Sequence, residues 1–156
     1  MKILYICTHN RCRSILSEAI TNQLAKGLIT AKSAGSQPAG KVHPLSLKYL
    51  AESGYSTEGL ISQSWNDFER FEPDVVVTVC DSAASEVCPV YFGNSLKVHW
   101  GLSDPSKIEG DELQIKQAFL ECIDQIAERV KKLENIAKQN LDKSAVKLAL
   151  AEAAAQ

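Results

Sequence analysis

The sequence predicts a single-domain α/β protein, a parallel sheet with helices on both faces. Two observations carry that expectation. Short apolar or β-branched runs alternate along the chain with stretches of helical periodicity. The clearest runs, Ile3-Leu4-Tyr5-Ile6 and Val75-Val76-Val77-Thr78-Val79, are apolar almost throughout, as strands buried on both faces are. The length agrees: 156 residues fit a single domain on a prior of roughly 100–200 residues per domain. A chain of that size buries enough surface to fold without a disulfide or a metal.

The elements follow in order. Lys2–Cys7 is a strand and Ser14–Lys26 a helix, with Gly27 as its C-terminal stop. Thr30–Ser33 is a second, shorter strand ending at Ala34-Gly35, and Gln37-Pro38-Ala39-Gly40 is a loop. His43-Pro44 opens a helix that runs to Ser53, with Pro at the first position and Gly54 after the end. Ser64–Arg70 is a short helix carrying Trp65 and Phe68, and Pro73 breaks the chain before the strand Asp74–Cys80. A loop from Asp81 to about Asn94 leads to a fourth strand, Leu96–Trp100, and Gly101–Gly110 is another loop. From Asp111 a long helix carries Ile115, Ala118, Phe119, Cys122, Ile123, Ile126, Val130 and Leu133 on one stripe. The domain is placed at 1–133, and 134–156 is read as a helical extension or exposed tail without identifiable chemistry.

Composition excludes several function classes. The chain is 45% hydrophobic and 23% charged, with a net charge of −2. That balance argues against nucleic acid and anionic membranes as partners. The expected location is cytoplasmic, because no signal peptide or span of roughly 20 apolar residues is visible. Five cysteines in such a chain point to catalytic or redox thiols rather than structural disulfides.

The chemistry concentrates in Cys7-Thr8-His9-Asn10-Arg11-Cys12-Arg13-Ser14, between the first strand and the first helix. Loop amides and a helix N-terminus form an anion nest, and Arg13 can grip two oxygens with its planar fork. The same positive field is expected to lower the Cys7 pKa and make it a thiolate nucleophile. Ser14 is expected to donate to that thiolate or to cap the helix. The segment lacks the Gly-Lys-Ser/Thr of a nucleotide-binding loop. Cys80 ends the third predicted strand at the same sheet edge, and Cys88 follows eight residues later. Two further thiols near an activated one allow a disulfide relay. Asp104, in a loop after a strand, can act as general acid. Zinc is not expected, since no Cys-x2-Cys pair exists. Cys122, Trp65, Trp100 and His99 read as packing residues, and His43 as a helix-start residue.

Cys7, Asn10, Cys12, Arg13 and Ser14 resemble the loop of low-molecular-weight protein tyrosine phosphatases and of arsenate reductases built on the same fold. The resemblance covers roughly residues 1–133 and implies a three-layer sandwich with a four-stranded parallel sheet in the order 2-1-3-4. It implies Cys7, Arg13, Asp104, Cys80 and Cys88 as catalytic residues. Thr8, His9, Asn10, Arg11, Cys12 and Ser14 would bind arsenate, with phosphate or sulfate as mimics. His9 and Arg11 depart from the small residues usual there. Asp104-Pro105 matches the Asp-Pro of the family, but Ser106 stands where its phosphatases favour an aromatic residue, and His99-Trp100-Gly101 is similar to the reductases. Cys80 and Cys88 fall where the reductases keep their thiol pair, although the thioredoxin-linked branch usually spaces that pair by seven residues.

The expected activity is therefore thiol-dependent reduction of arsenate to arsenite, as in arsenical resistance. No redox cofactor is expected to be bound. An external donor would supply the electrons, with thioredoxin favoured over glutathione and glutaredoxin. The resemblance also offers Asn10, Glu18, Ser33 and Asp67 for a structural potassium ion. The competing expectations are phosphomonoester hydrolysis by Cys7, Arg13 and Asp104, and an oxyanion-binding or redox-sensing module.

Overall fold

The computed structural model describes residues 1–80, 92–93, 95–139 and 142–154. Four strands, β1 (Lys2–Ile6), β2 (Thr30–Ala34), β3 (Val75–Thr78) and β4 (Leu96–His99), form one parallel sheet in the order β2-β1-β3-β4. Among the described residues the α-helices are α1 (Arg13–Leu24), α2 (Pro44–Glu52), α3 (Glu112–Lys138) and α4 (Lys143–Ala154). The α/β class and the strand order are those expected.

Every residue of β3, and Ile3 to Ile6 of β1, is buried, as two-sided cover requires. The stripe on α3 buries Phe119, Cys122, Ile123, Ile126, Val130 and Leu133. The stripe also contains Arg129, which periodicity did not flag; its guanidinium lies over the Trp100 ring at 5.6 Å. Trp100 in turn packs on Tyr5, whose hydroxyl is 2.8 Å from Thr21 Oγ1 of α1. The order β2-β1-β3-β4 makes β1 central, and its C-terminal end opens between β2 and β3. Pairing continues one step past the strands: Cys7 N donates to Ala34 O, Val79 N to Ile6 O, and Trp100 N to Thr78 O. The chain thus leaves all four strands at the same edge, where an α/β sheet builds its site.

Three expected elements differ. Ser64–Arg70 is a single 3-10 turn, Trp65–Phe68, closed by a capping box between Ser64 and Asp67. Five polar or charged residues around two aromatics give too little apolar face for a longer helix. Of the two readings of the segment after Leu133, the structure has the helical extension and not the exposed tail. α3 continues to Lys138, and α4 lies against α3 and β4, burying Val146 and Leu150. His99 is exposed on the edge strand rather than packed, with Nδ1 2.9 Å from Thr78 Oγ1.

Gly35, just after β2, sits against the Cys7–Ser14 loop. A Cβ there would come within 2.5 Å of Thr8 O and 2.7 Å of Cys7 O. Both are backbone atoms and cannot swing away. Gly35→Ala should therefore destabilise the fold by about 1–3 kcal/mol, the usual range for overpacking, and weaken phosphate binding as the loop is pushed open. Urea unfolding and calorimetric titration with phosphate measure the two effects; an unchanged protein in both would contradict this packing.

Candidate functional site

The Cys7–Ser14 loop is shaped by where its carbonyls go. Thr8 O accepts from Gln37 N, His9 O from Ala39 N and Ser62 Oγ, and Arg11 O from His43 N and Ser46 Oγ. The segment after β2 and the start of α2 thus hold these carbonyls on the outer side. In a trans peptide the following N–H points the opposite way, so the N–H groups of His9 and Cys12 turn inward. The His9 N–H makes its hydrogen bond to the Cys7 thiol. Asn10 makes the sharpest bend, at φ 45°, a left-handed conformation that Asn tolerates better than most residues. Its buried side chain fastens the loop from within: Nδ2 donates to Ser14 Oγ and Oδ1 accepts from Gln63 N, both at 2.9 Å.

α1 starts at Arg13 with Cys12 as N-cap and no side-chain cap. The expectation that Ser14 caps the helix is corrected, because its hydroxyl oxygen is engaged by Asn10. Arg13 reaches across the cup. Nη1 donates to Leu102 O at 2.9 Å and Nη2 faces Asp104 Oδ2 at 3.5 Å. Its Nε is buried with no partner among the described residues. Asp104 Oδ1 accepts from Ser106 N at 2.9 Å and Ser106 Oγ at 2.6 Å.

Cys80 meets the loop from the end of β3. Its thiol is hydrogen-bonded to that of Cys7 and lies 3.7 Å from Thr8 Oγ1. Cys7, Cys12, Cys80 and Cys122 are all buried, and no disulfide joins any two of these four. The expectation of a lowered Cys7 pKa is overturned in this arrangement. The hydrogen bond with Cys80 and then burial push the Cys7 thiol up, while Arg13 and the His9 N–H pull the other way. Cys12 is pushed up to about 11, first by burial, with Ser46, Arg13 and Arg11 opposing. Burial likewise pushes Cys122 up to about 12. Cys88 lies outside the described residues.

His9 and Arg11 are exposed at the rim. His9 Nδ1 is 3.1 Å from Gln37 O. The four residues considered for potassium carry oxygens, the right chemistry for a hard cation, but they serve other bonds. Ser33 Oγ donates to Glu18 Oε1 at 2.6 Å, Asn10 Oδ1 accepts from Gln63 N, and Asp67 closes its capping box. Burial raises the Glu18 pKa, and the Ser33 hydroxyl opposes that rise. Two positioning features escaped the sequence reading: Gly35, and the group Ser46, Ser62 and Gln63 that binds the loop from outside. The Ala-Gly pair directly after a strand was the available signal for Gly35.

A thiol, a guanidinium and a carboxyl gathered at the C-terminal end of a four-stranded parallel sheet, beside a helix N-terminus, define an α/β class suited to holding a tetrahedral anion. Within that class the chain belongs to the low-molecular-weight phosphotyrosine protein phosphatase family, whose model matches residues 2–147. It is 33% identical over 129 residues to an arsenate reductase of Halalkalibacterium halodurans, covering 83% of this chain and 91% of that one. It is 28% identical to a glutaredoxin arsenate reductase of Synechocystis, covering 85% and 95%. Among solved structures it resembles an arsenate reductase in the phosphate-binding state, with TM-score 0.71, 27% identity and coverage of 86% and 96%. It also resembles a thioredoxin-dependent arsenate reductase of Corynebacterium glutamicum, with TM-score 0.69, 27% identity and coverage of 90% and 63%.

Arg13→Lys should keep the charge but lose the fork that spans Leu102 O and Asp104. Phosphate affinity should fall at least about tenfold, the worth of one lost charge-assisted hydrogen bond. Calorimetric titration checks this, and wild-type affinity in the variant would contradict it.

Proposed function

We propose that this protein reduces arsenate to arsenite through a cysteine relay. The reading is carried by Cys80, brought from the end of β3 to the side of Cys7 at the oxyanion loop, where its nearness is the largest cause of the raised Cys7 pKa. A phosphatase needs only the Cys7 thiol.

Arsenate sits on the inward amides of the Thr8–Cys12 loop and on Arg13, whose buried Nε gains an acceptor. Cys7 attacks as the thiolate, its proton having gone to solvent, and Arg13 and the His9 N–H take up the charge. The sulfur–arsenic bond forms as an arsenic–oxygen bond breaks, and Asp104 protonates the departing hydroxide to water. Cys80 then attacks Cys7 Sγ as a thiolate. A disulfide forms, the sulfur–arsenic bond breaks, and its electron pair reduces arsenic(V) to arsenic(III), released as arsenite. Cys88 attacks Cys80, freeing Cys7 and leaving a Cys80–Cys88 disulfide for an external donor.

The donor is a thiol system, with no redox cofactor bound by the chain. Thioredoxin is the first to offer, since three thiols in series deliver a disulfide that a dithiol protein can reduce. Glutathione with glutaredoxin is the second, and relatives carrying each linkage exist. Such donors place the reaction in the cytoplasm; no helix among the described residues is long and apolar enough to cross a membrane. A potassium ion at Asn10, Glu18, Ser33 and Asp67 rests on the family resemblance and on their oxygen donors, and no step needs it.

The test is arsenite formation with each donor system supplied separately. Cys7→Ser should abolish it. Cys80→Ser should stop turnover while leaving phosphate binding intact. Full turnover by a Cys80→Ser, Cys88→Ser double variant would sink the relay. Reductant-independent hydrolysis of an aryl phosphate, unaffected by Cys80→Ser and without arsenite formation, would return the site to phosphomonoester hydrolysis.

A further inference from the structure

α2 opens with a hydrogen bond that depends on the state of one ring. His43 is the N-cap and Pro44 the first residue, so the first amide hydrogen of the helix belongs to Leu45. Leu45 N donates to His43 Nδ1 at 3.1 Å. A ring nitrogen that accepts carries no hydrogen, so the imidazole is neutral and its one proton sits on Nε2. The ring packs on Phe119 of α3, with centroids 6.2 Å apart. The same residue serves the cup. His43 N donates to Arg11 O at 2.9 Å, and Ser46 Oγ donates to it at 3.4 Å. Ser46 N in turn donates to His43 O at 3.0 Å. The first turn of α2 is thus one hydrogen-bonded unit, with the imidazole at one end and the Arg11 carbonyl at the other.

We infer that His43 is a positioning residue of the anion cup: its neutral imidazole caps α2, the capped turn holds Arg11 O outside, and protonation of the ring releases both. An imidazolium has a hydrogen on each nitrogen, so Nδ1 would face the Leu45 N–H as a second donor. It would also put a positive charge at the positive end of the helix. Arg11 O then loses its fixed donors, and the Arg11–Cys12 peptide, whose N–H faces into the cup, loses its orientation. Burial, and after it Arg11 of the loop, hold the His43 pKa below the ordinary imidazole value, while Asp104 opposes them. Cys12, next to Arg11, is pushed up to about 11 and stays a neutral thiol at the pH values that matter here. α3 contributes Glu112, paired with Lys48 of α2 at 3.5 Å, and Lys41 stands two residues before the ring. The role concerns anion binding and goes beyond the relay, since it needs only an anion in the cup.

The sign follows from the lowered value. The unfolded chain takes up the proton first, so the cap is fully stabilising above the ordinary imidazole pKa of about 6.5 and is lost as pH falls through the lower folded value. Asn accepts at an N-cap without titrating, and Ala does not accept. Calorimetric titration with sulfate, whose charge is constant over the range, reads the cup, and thermal melts read the helix. Between about pH 8 and about pH 5, wild type should lose about fivefold in sulfate affinity and about 2–4 °C in melting temperature relative to His43→Asn, the worth of one N-cap. His43→Ala should lie below His43→Asn by similar amounts at both pH values. His9 and His99 are present in every variant, and what Asn loses by leaving Phe119 is lost at every pH, so both cancel in the comparison. Wild-type and His43→Asn values that keep a constant ratio would overturn the inference. A melting difference without a change in relative sulfate affinity would overturn it too, because the helix would then have no hold on the cup. Absence of sulfate binding by wild type at either pH would overturn the cup itself and the inference with it.

Discussion

A loop that receives an anion on its backbone must place its carbonyls somewhere else. That requirement organises this protein. The carbonyls of Thr8, His9 and Arg11 are drawn outward by Gln37, Ala39, Ser62, His43 and Ser46, so the loop cannot be understood without the chain after β2. Gly35 lets that chain approach within contact of Thr8 O and Cys7 O. The parallel pairing of β1 with β2, from Lys2 against Thr30 to Ile6 against Ala34, brings Cys7 and Gly35 to the same level. The hydrophobic sandwich thus determines the register, the register sets the approach, and the approach turns the amides inward.

The same edge brings in the thiol from the other side of β1. Ile6 pairs with Thr78, and Val79 N donates to Ile6 O, so Cys80 arrives beside Cys7 without any contribution from the loop itself. The anion cup and the thiol pair are therefore separate products of one sheet. Their coupling has a chemical consequence. A thiol held against another thiol in a buried place resists ionisation, and Arg13 with the His9 N–H opposes that resistance.

Much of this was legible in the sequence, and what was not shares a physical character. The strand-loop-helix unit around Cys7, the class of sheet and the nearness of Cys80 follow from local patterns: apolar runs, periodicity, and strand ends that share an edge. Gly35, Ser46, Ser62 and Gln63 were missed because their importance lies in through-space contacts with a loop more than twenty residues away in the chain. The expected thiolate failed for a related reason. Arg13 and the helix start could be read locally, whereas the hydrogen bond that outweighs them comes from Cys80, on another strand. Arg129 was passed over because a charged residue on an apolar stripe reads as exposed, and only the Trp100 ring explains its place inside.

His9 and Arg11 show how a side chain can mislead about a position. Their side chains were the puzzling feature of the loop, yet both are exposed at its rim. What the loop needs from residues 9 and 11 is backbone: two carbonyls held outside by four donors, with the N–H groups of His9 and Cys12 turned inward. Positions used in this way tolerate many side chains, provided the residue is not proline and can adopt the required φ. Residue 10 differs, since the left-handed bend and the two side-chain hydrogen bonds both fall on it. Asparagine satisfies the two demands together. The cup is therefore specified by one side chain at its bend and by the backbone on either side, while the rim is left open to substitution.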